Sequence, residues 1–327
     1  MIIERLRKDH AEDAAKIVAE NYKRECQRVP SLPAADFYAY FYDAISRMAD
    51  SQYGVAAIRN RKLAGFLSGM PVNAHKGLHR GVYCDICAHG ATGDKKDVYQ
   101  RLYEQISEVW VKNGCLTHSI SVFAHEEETV GTWFHLGFGN RGVDTMRPLT
   151  GVAGVKKHRY QIRRATERDA EGLLLLKSEE RLYYSRAPLF MPAMRVMTMD
   201  DVKNDLTSNG RIHWLALDGE KPVAKMTTEK GGEYPFIAND EKTINVCSVY
   251  ALEEARGMGL AADMLSTIVE WAKSEGYERL GVDYESFNRY GSRFWEKHFT
   301  PFAYSMFRRL DERILWANEA RAGGIVI

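Results

Sequence analysis

The sequence predicts an α+β chain in which one unit of strands and helices occurs twice, and three observations carry that expectation. The stretch IERLRKDHAEDAAKI from Ile3 is matched by IRRATERDAEGLLLL from Ile162, sharing Ile3/Ile162, Arg5/Arg164, Ala11/Ala170 and Glu12/Glu171. VAAIRNRKLAG and WLALDGEKPVA each set a polar turn between two apolar strands. Trp110, Lys112, Gly114 and Phe138 then return in the same order as Trp271, Lys273, Gly276 and Phe299. Ordered landmarks at nearly constant spacing mark a duplication. The expected boundaries are 1–150 for the first copy, 151–159 for a small, basic linker (GVAGVKKHR) and 160–327 for the second.

The second copy holds the most informative stretch. Thr243 to Leu252 is apolar on both alternating sets, as in a central strand. From Leu260 to Lys273 apolar residues recur every three to four positions, which predicts an amphipathic helix. Between them lies Arg256-Gly257-Met258-Gly259. Glycines here let an anion approach the N–H groups that open the helix, so a phosphate-bearing ligand is expected. Gly257, Gly259 and Ala262 also fit the dinucleotide fingerprint G-x-G-x-x-A. That fingerprint needs a parallel strand-helix-strand unit, whereas Trp214 to Thr228 turns at Asp218-Gly219 as an antiparallel hairpin.

Arg256, Gly259 and Ala261 fit R-x-x-G-x-A, and the loop resembles the pyrophosphate loop of the GNAT superfamily of acyl-CoA-dependent N-acyltransferases. NRYGSRFWEKHF from Asn288 is similar to that family's closing motif, and TWFHLGF from Thr132 is its weaker counterpart in the first copy. The resemblance implies two tandem GNAT-like domains, each a mixed, mostly antiparallel central sheet flanked by helices. It also implies acetyl-CoA (coenzyme A) as co-substrate and acyl transfer to an amine. The implied coenzyme contacts are the backbone of Arg256, Gly257, Met258, Gly259, Leu260 and Ala261, the strand end at Val249, Tyr250 and Ala251, and Asn288. A free N–H near Tyr250 or Ala251 would serve the oxyanion.

Catalytic side chains are less plainly written. Glu285 ends the strand RLGVDYES on the same face as Asp283. It reads either as a base for an ammonium nucleophile or as a solvated strand-end carboxylate. Trp295 stands where many family members have the tyrosine that protonates the leaving thiolate, and indole has no useful acidity. Tyr290 and Tyr304 are the candidate substitutes. Tyr183, Tyr184, Arg186, Phe190 and Met191 could line the acceptor pocket or belong to the core. In the first copy Gly93 and Asp94 fall near the places of Arg256 and Gly257. Asp94 would repel pyrophosphate, so that copy is expected to be degenerate and structural.

Composition bounds the partners. The 327 residues hold 45 Lys plus Arg against 44 Asp plus Glu, a net charge of +1, so no global field favours nucleic acid or an anionic membrane. A small-molecule amine is the expected acceptor, a peptide amine the alternative, and oligomeric state is left open. No apolar run is long enough to span a bilayer. Five scattered cysteines fit a reducing cytoplasm better than a disulfide framework. Cys84 and Cys87, with only His89 nearby, read as structural thiols, and no metal is expected. Two rival readings stand beside acyl transfer: non-catalytic acyl-CoA binding or sensing, and a dinucleotide-binding oxidoreductase.

Overall fold

The computed structural model describes residues 1–156, 159–192, 195–208 and 210–315. The apolar tail Ala322 to Ile327, for which the sequence allows an edge strand, lies outside them. In chain order the elements are β1 (Ile2–Arg5), α1 (Ala11–Arg28), α2 (Tyr38–Met48), β2 (Gly54–Arg59), β3 (Lys62–Ser68), β4 (Met70–Val72), β5 (Arg80–Cys84), β6 (His89–Ala91), α3 (Lys95–Lys112), β7 (Cys115–Phe123), α4 (Glu127–His135) and β8 (Gly139–Pro148). A similar order then restarts, with a short helix and one long strand in place of β4, β5 and β6: β9 (Gln161–Arg164), α5 (Ala170–Ser185), α6 (Met199–Thr207), β10 (Arg211–Asp218), β11 (Lys221–Glu229), α7 (Pro235–Ala238), β12 (Thr243–Ala251), α8 (Leu260–Ser274), β13 (Arg279–Glu285), α9 (Arg289–His298) and β14 (Thr300–Arg309).

By packing, the chain forms two compact units. The first comprises Met1–Pro30, Ala34–Val143 and Phe302–Ile327, and the second comprises Ser31–Pro33 and Asp144–Pro301. Each unit is α+β with a mixed, mostly antiparallel strand set. In the first, β1, β2, β3 and β6 pair antiparallel in that order, and β5 runs parallel to β7. The chain's last strand, β14, pairs antiparallel with β7 here, Tyr304 opposite Val122. In the second, the order is β8-β13-β12-β11-β10-β9, and β12 and β13 are a parallel pair among antiparallel neighbours.

Local chemistry explains the elements that position the site. The β2–β3 turn places Asn60 and Arg61 at φ 53° and 62°, the left-handed pair that a two-residue hairpin needs to match strand twist. Gly219 serves the second hairpin at φ 62°. In α8 the buried set is Leu260, Ala262, Met264, Leu265, Ile268, Val269 and Ala272, the stripe expected from the sequence except that Ala262 is inside while Ala261 and Trp271 are only half-buried. Leu280, Val282 and Tyr284 of β13 are buried, while Asp283 and Glu285 lie on the open face.

Two elements differ from the sequence expectation. GVYCDICA is not one strand: β5 stops at Cys84, Asp85 to Ala88 turn, and β6 restarts at His89. The chain there leaves β7 and joins β3. Nor is β12 covered along its whole length. It pairs with β13 only as far as Val246 opposite Val282. On its other edge Thr228 faces Val246 and Thr227 faces Ser248, so Cys247 is an extra residue. Such a bulge bends and twists a strand, and from Cys247 onward β12 follows β11 alone.

Candidate active site

The site in the second unit begins where β12 and β13 part. Leu252 donates its N–H to Val223 O, on the β11 side. Alternation along the strand therefore turns the N–H and C=O groups of Val249 and Ala251 to the edge that β13 has left. After Ala251 a short turn leads to Gly257 and Gly259, at φ 77° and 89°. Gly259 is the N-cap of α8 and has no side chain to bond the helix's first N–H groups. Those of Leu260 and Ala261 lie in the first turn, where an α-helix offers them no carbonyl, so the strand-edge N–H groups of Val249 and Ala251 lead directly to an uncapped helix N-terminus.

A cleft of about 670 Å³ follows that path, lined by Val249, Tyr250, Ala251, Arg256, Gly257, Gly259, Leu260 and Ala261 among others. Arg293 and Lys297 of α9 add cationic groups to its wall, and His298, whose basicity burial lowers, lines it too. The linker also reaches it: a Cβ at Gly259 would lie 3.4 Å from Gly154 O and 3.5 Å from the Lys156 stem. A smaller cleft of about 180 Å³ shares Val249, Tyr250, Ala251, Arg256, Ala261 and Tyr290 and is completed by Tyr183, Tyr184, Cys247, Ser248, Asp283 and Asn288. The sequence-expected coenzyme residues thus come together, with two exceptions. Met258 is exposed and lines neither cleft, and Asn288 lines only the smaller one.

Arg256 does not extend its guanidinium into the loop. Its Nε donates to Ala251 O at 2.9 Å, and its charge lies 5.4 Å from the ring centres of both Tyr183 and Tyr250 and 6.0 Å from that of Tyr290. The arginine thus clamps the loop to the strand end. Asn288 is likewise engaged: its Oδ1 accepts from Tyr183 Oη at 2.7 Å and from Gly291 N at 3.2 Å, capping α9. A Cβ at 291 would stand 2.9 Å from Asn288 Nδ2. That contact accounts for glycine where the resembled motif has alanine.

The candidate acid-base residues separate. Tyr290 is 63% exposed at the mouth shared by both clefts. Tyr304 lies on β14 in the first unit, packed against that unit's core, and lines neither cleft. Trp295 is buried edge-on against Phe299 at 5.3 Å, as Trp133 is against Phe138 at 5.0 Å, so the indole is a packing feature of both units. Glu285 is half-buried at the end of β13. Its neighbour Asp283 is exposed to solvent through the smaller cleft, whose walls still displace part of the water around it. That desolvation, then the Glu285 charge and further carboxylates at Glu233 and Glu229, pushes its carboxyl up to about 6. Burial and the charges of Glu285, Glu180 and Asp283 also raise the Tyr184 phenol. Of the other acceptor candidates, Arg186, Phe190 and Met191 line neither cleft.

One polar group was missed by sequence reasoning. Lys225 of β11 is fully buried, its Nζ 2.7 Å from Glu180 Oε2 and hydrogen-bonded to Ser248 Oγ. Ser248 Oγ donates to Glu180 at 3.0 Å. A lysine inside the otherwise apolar run PVAKM was the available signal, since buried lysines require partners.

In the first unit the equivalent place is closed. Asp94, the N-cap of α3, accepts from Asp97 N at 3.0 Å, so its counterpart in role is Gly259. His89, two residues past Cys87 as Val249 is two past Cys247, fills the gap between β6 and β7. Its Nε2 donates to Ser121 O at 2.8 Å, and its Nδ1 accepts from Tyr99 Oη at 2.9 Å. Burial lowers the imidazole's basicity and keeps it neutral for both bonds. Burial likewise raises the Cys84 and Cys87 thiols, which stay protonated.

Comparison with known proteins bears on the family and the fold. Residues 176–299 match the Acetyltransferase (GNAT) family. No curated protein matches the chain. Among solved structures, a GCN5-related N-acetyltransferase from Sphaerobacter thermophilus aligns over 94% of this chain and 95% of its own, with a TM-score of 0.58 at 11% identity. A tandem GNAT protein from the clavulanic acid biosynthesis pathway aligns over 94% and 98%, with a TM-score of 0.45 at 11% identity. An aminoglycoside acetyltransferase from an uncultured soil metagenomic sample covers 42% of this chain and 86% of its own, with a TM-score of 0.36 at 15% identity. Residues 176–299 of the second unit thus match the GNAT family, and the chain as a whole has the fold of a GCN5-related N-acetyltransferase.

Proposed function

We propose that the protein is an N-acetyltransferase that moves an acetyl group from acetyl-CoA to an amine on a small molecule, with the reaction confined to the second unit. The observation that supports this most is the path from the strand-edge N–H groups of Val249 and Ala251 to the N-terminus of α8 at Gly259. Backbone N–H groups from Gly257 to Ala261 and the positive helix end suit the pyrophosphate, and the strand edge suits the amides of the pantetheine arm. Val249 or Ala251 would donate the N–H that stabilises the oxyanion. Asn288, already anchored by Tyr183, would hold the coenzyme from the smaller cleft.

Asp283 is the proposed base, in place of Glu285 alone. A carboxyl with a value of about 6 is mostly ionised at neutral pH and is a better proton acceptor than an ordinary aspartate. Glu285 tunes it, and the carboxylates around Tyr184 favour an acceptor that arrives as a cation. Tyr290 remains a proposed contact at the mouth. The buried free thiols Cys84, Cys87 and Cys115 suit a reducing cytoplasm. The sequence halves 1–150 and 160–327, joined by 151–159, are read as the duplicated units, the first having a degenerate coenzyme loop.

Acetyl-CoA turnover read as free thiol, across a panel of diamines, polyamines, aminoglycosides and amino acids, tests the reading. Thiol release with at least one amine supports transfer. Tight acetyl-CoA binding with no release from any of them would favour the rival reading, a non-catalytic acyl-CoA-binding module, which Trp295 also favours.

A further inference from the structure

An acyltransferase of this kind must return a proton to the departing thiolate, and the residue at the usual place, Trp295, is a buried indole. The two clefts are joined by another group that can hold that proton. Lys225 lines the larger cleft, Ser248 lines the smaller one, and both lie on the stretch where β11 and β12 pair just beyond the bulge, Tyr250 opposite Lys225 and Ser248 opposite Thr227. Lys225 Nζ donates to Ser248 Oγ, and Glu180 of α5 receives both the lysine charge at 2.7 Å and the serine hydroxyl at 3.0 Å. Removing a lysine from water without a functional return is costly, and an apolar residue there would pack as well.

The geometry points to Ser248 as the proton donor to the leaving sulfur, with Lys225 recharging it and Glu180 holding the pair in register. This rests on the acyltransferase reading above. When the C–S bond breaks, its electron pair stays on sulfur; the Ser248 hydroxyl turns from Glu180 to give sulfur its proton, and the serine takes one from Lys225 Nζ, which Glu180 still holds. The acceptor, arriving as an ammonium, loses two protons through Asp283 to water, one before attack and one from the tetrahedral adduct. Lys225 regains its own from solvent at Glu180, whose side chain remains 18% exposed. The proton count closes with two protons lost from nitrogen, one gained by sulfur and one released to solvent. Burial lowers the lysine's hold on its proton, which eases the transfer. The charged and titratable groups facing Lys225 are Glu180 and Lys177 of α5, Cys247 of β12 and His213 of β10.

The test needs no acceptor. A hydroxyl donor backed by an ammonium stabilises a bound thiolate, so it lowers the bound thiol's pKa and makes coenzyme A bind more tightly as pH rises. We expect calorimetric affinity for coenzyme A to rise about sixfold between pH 7 and 9, the part of a tenfold limit that falls in this window for a thiol pKa one unit lower than its solution value of about 8.5. Acetyl-CoA, which has no thiol, reports any change in the protein itself and is expected to stay level. In Ser248→Ala the coenzyme A rise disappears while acetyl-CoA affinity holds, and Ser248→Thr restores the rise. Equal pH dependence for the two ligands in the wild type overturns the proposal, as does a rise that survives Ser248→Ala. Failure of the wild type to bind acetyl-CoA would remove the acyltransferase reading and this inference with it, an outcome separate from the other two.

Discussion

The two units make the same strand break and end it in opposite ways. In each, a strand leaves its parallel neighbour at a cysteine-bearing irregularity, Cys87 in one and Cys247 in the other, and joins the antiparallel hairpin instead. Two residues later the first unit presents His89 and the second Val249. A few residues beyond, the first helix is capped by Asp94 and the second by Gly259. Where the imidazole bonds the facing strand and the carboxylate bonds the helix's own N–H, the polar backbone is satisfied internally. Where valine and glycine stand, no such side chain fills the gap or caps the helix, and the N–H groups of the strand edge and helix end face the cleft. The fold supplies the opening, and two side chains decide whether it is a site.

Exchanging those side chains should break the comparison most sharply. Gly259→Asp places a carboxylate where the pyrophosphate would lie and a Cβ at φ 89°, and it should weaken acetyl-CoA binding by at least about 100-fold, some 3 kcal/mol. Val249→His should obstruct the strand edge with a loss of about tenfold or more by the same scale. Both are read by calorimetry, with circular dichroism confirming the fold. Wild-type affinity in either variant would show that the coenzyme uses another path.

The reverse changes probe stability. His89→Ala leaves Tyr99 Oη and Ser121 O without their buried partner and opens a cavity, at a cost of about 2–4 kcal/mol. Asp94→Ala removes only a cap, costing about 1 kcal/mol. Denaturant unfolding measures both, and an order in which the cap costs more than the plug would contradict the account of the closed gap.

The same comparison has a pH signature. If Asp283 is the base, kcat/KM should rise with pH through about 6, because the carboxyl must be ionised to accept a proton. Asp283→Asn should abolish that limb, and Glu285→Gln should move it to lower pH by removing a like charge. A limb unaffected by either change would exclude Asp283. In the first unit burial pushes the His118 imidazole down to about 4. Its folded value lies below the unfolded one of about 6.5, so the stability it contributes is present above that value and is lost as pH falls from there through 4. His118→Gln should flatten that part of the stability profile, a small effect.

Much of this was legible in the sequence because it is local. Helical spacing from Leu260 to Ala272, the turns at Asn60-Arg61 and Asp218-Gly219, and the glycines at 257 and 259 each act within a few residues of themselves. What the sequence hid depends on partners distant in the chain. Cys247 becomes an extra residue only because Thr227 and Thr228 count against it, and Asp85 to Ala88 turn only because β6 has β3 to join. Likewise Lys225, Ser248 and Glu180 come from a hairpin, a central strand and a helix, and Asp283 is raised by surroundings that no alternation pattern displays. The final strand is a further case. Thr300–Arg309 reads as the second copy's last strand but pairs with β7, and two similar units offer it similar edges.

The central claim is that one unit binds acetyl-CoA and its twin does not. Calorimetric titration of acetyl-CoA to saturation of the wild-type chain tests it most directly. The account predicts one site per chain, and two sites per chain would contradict it.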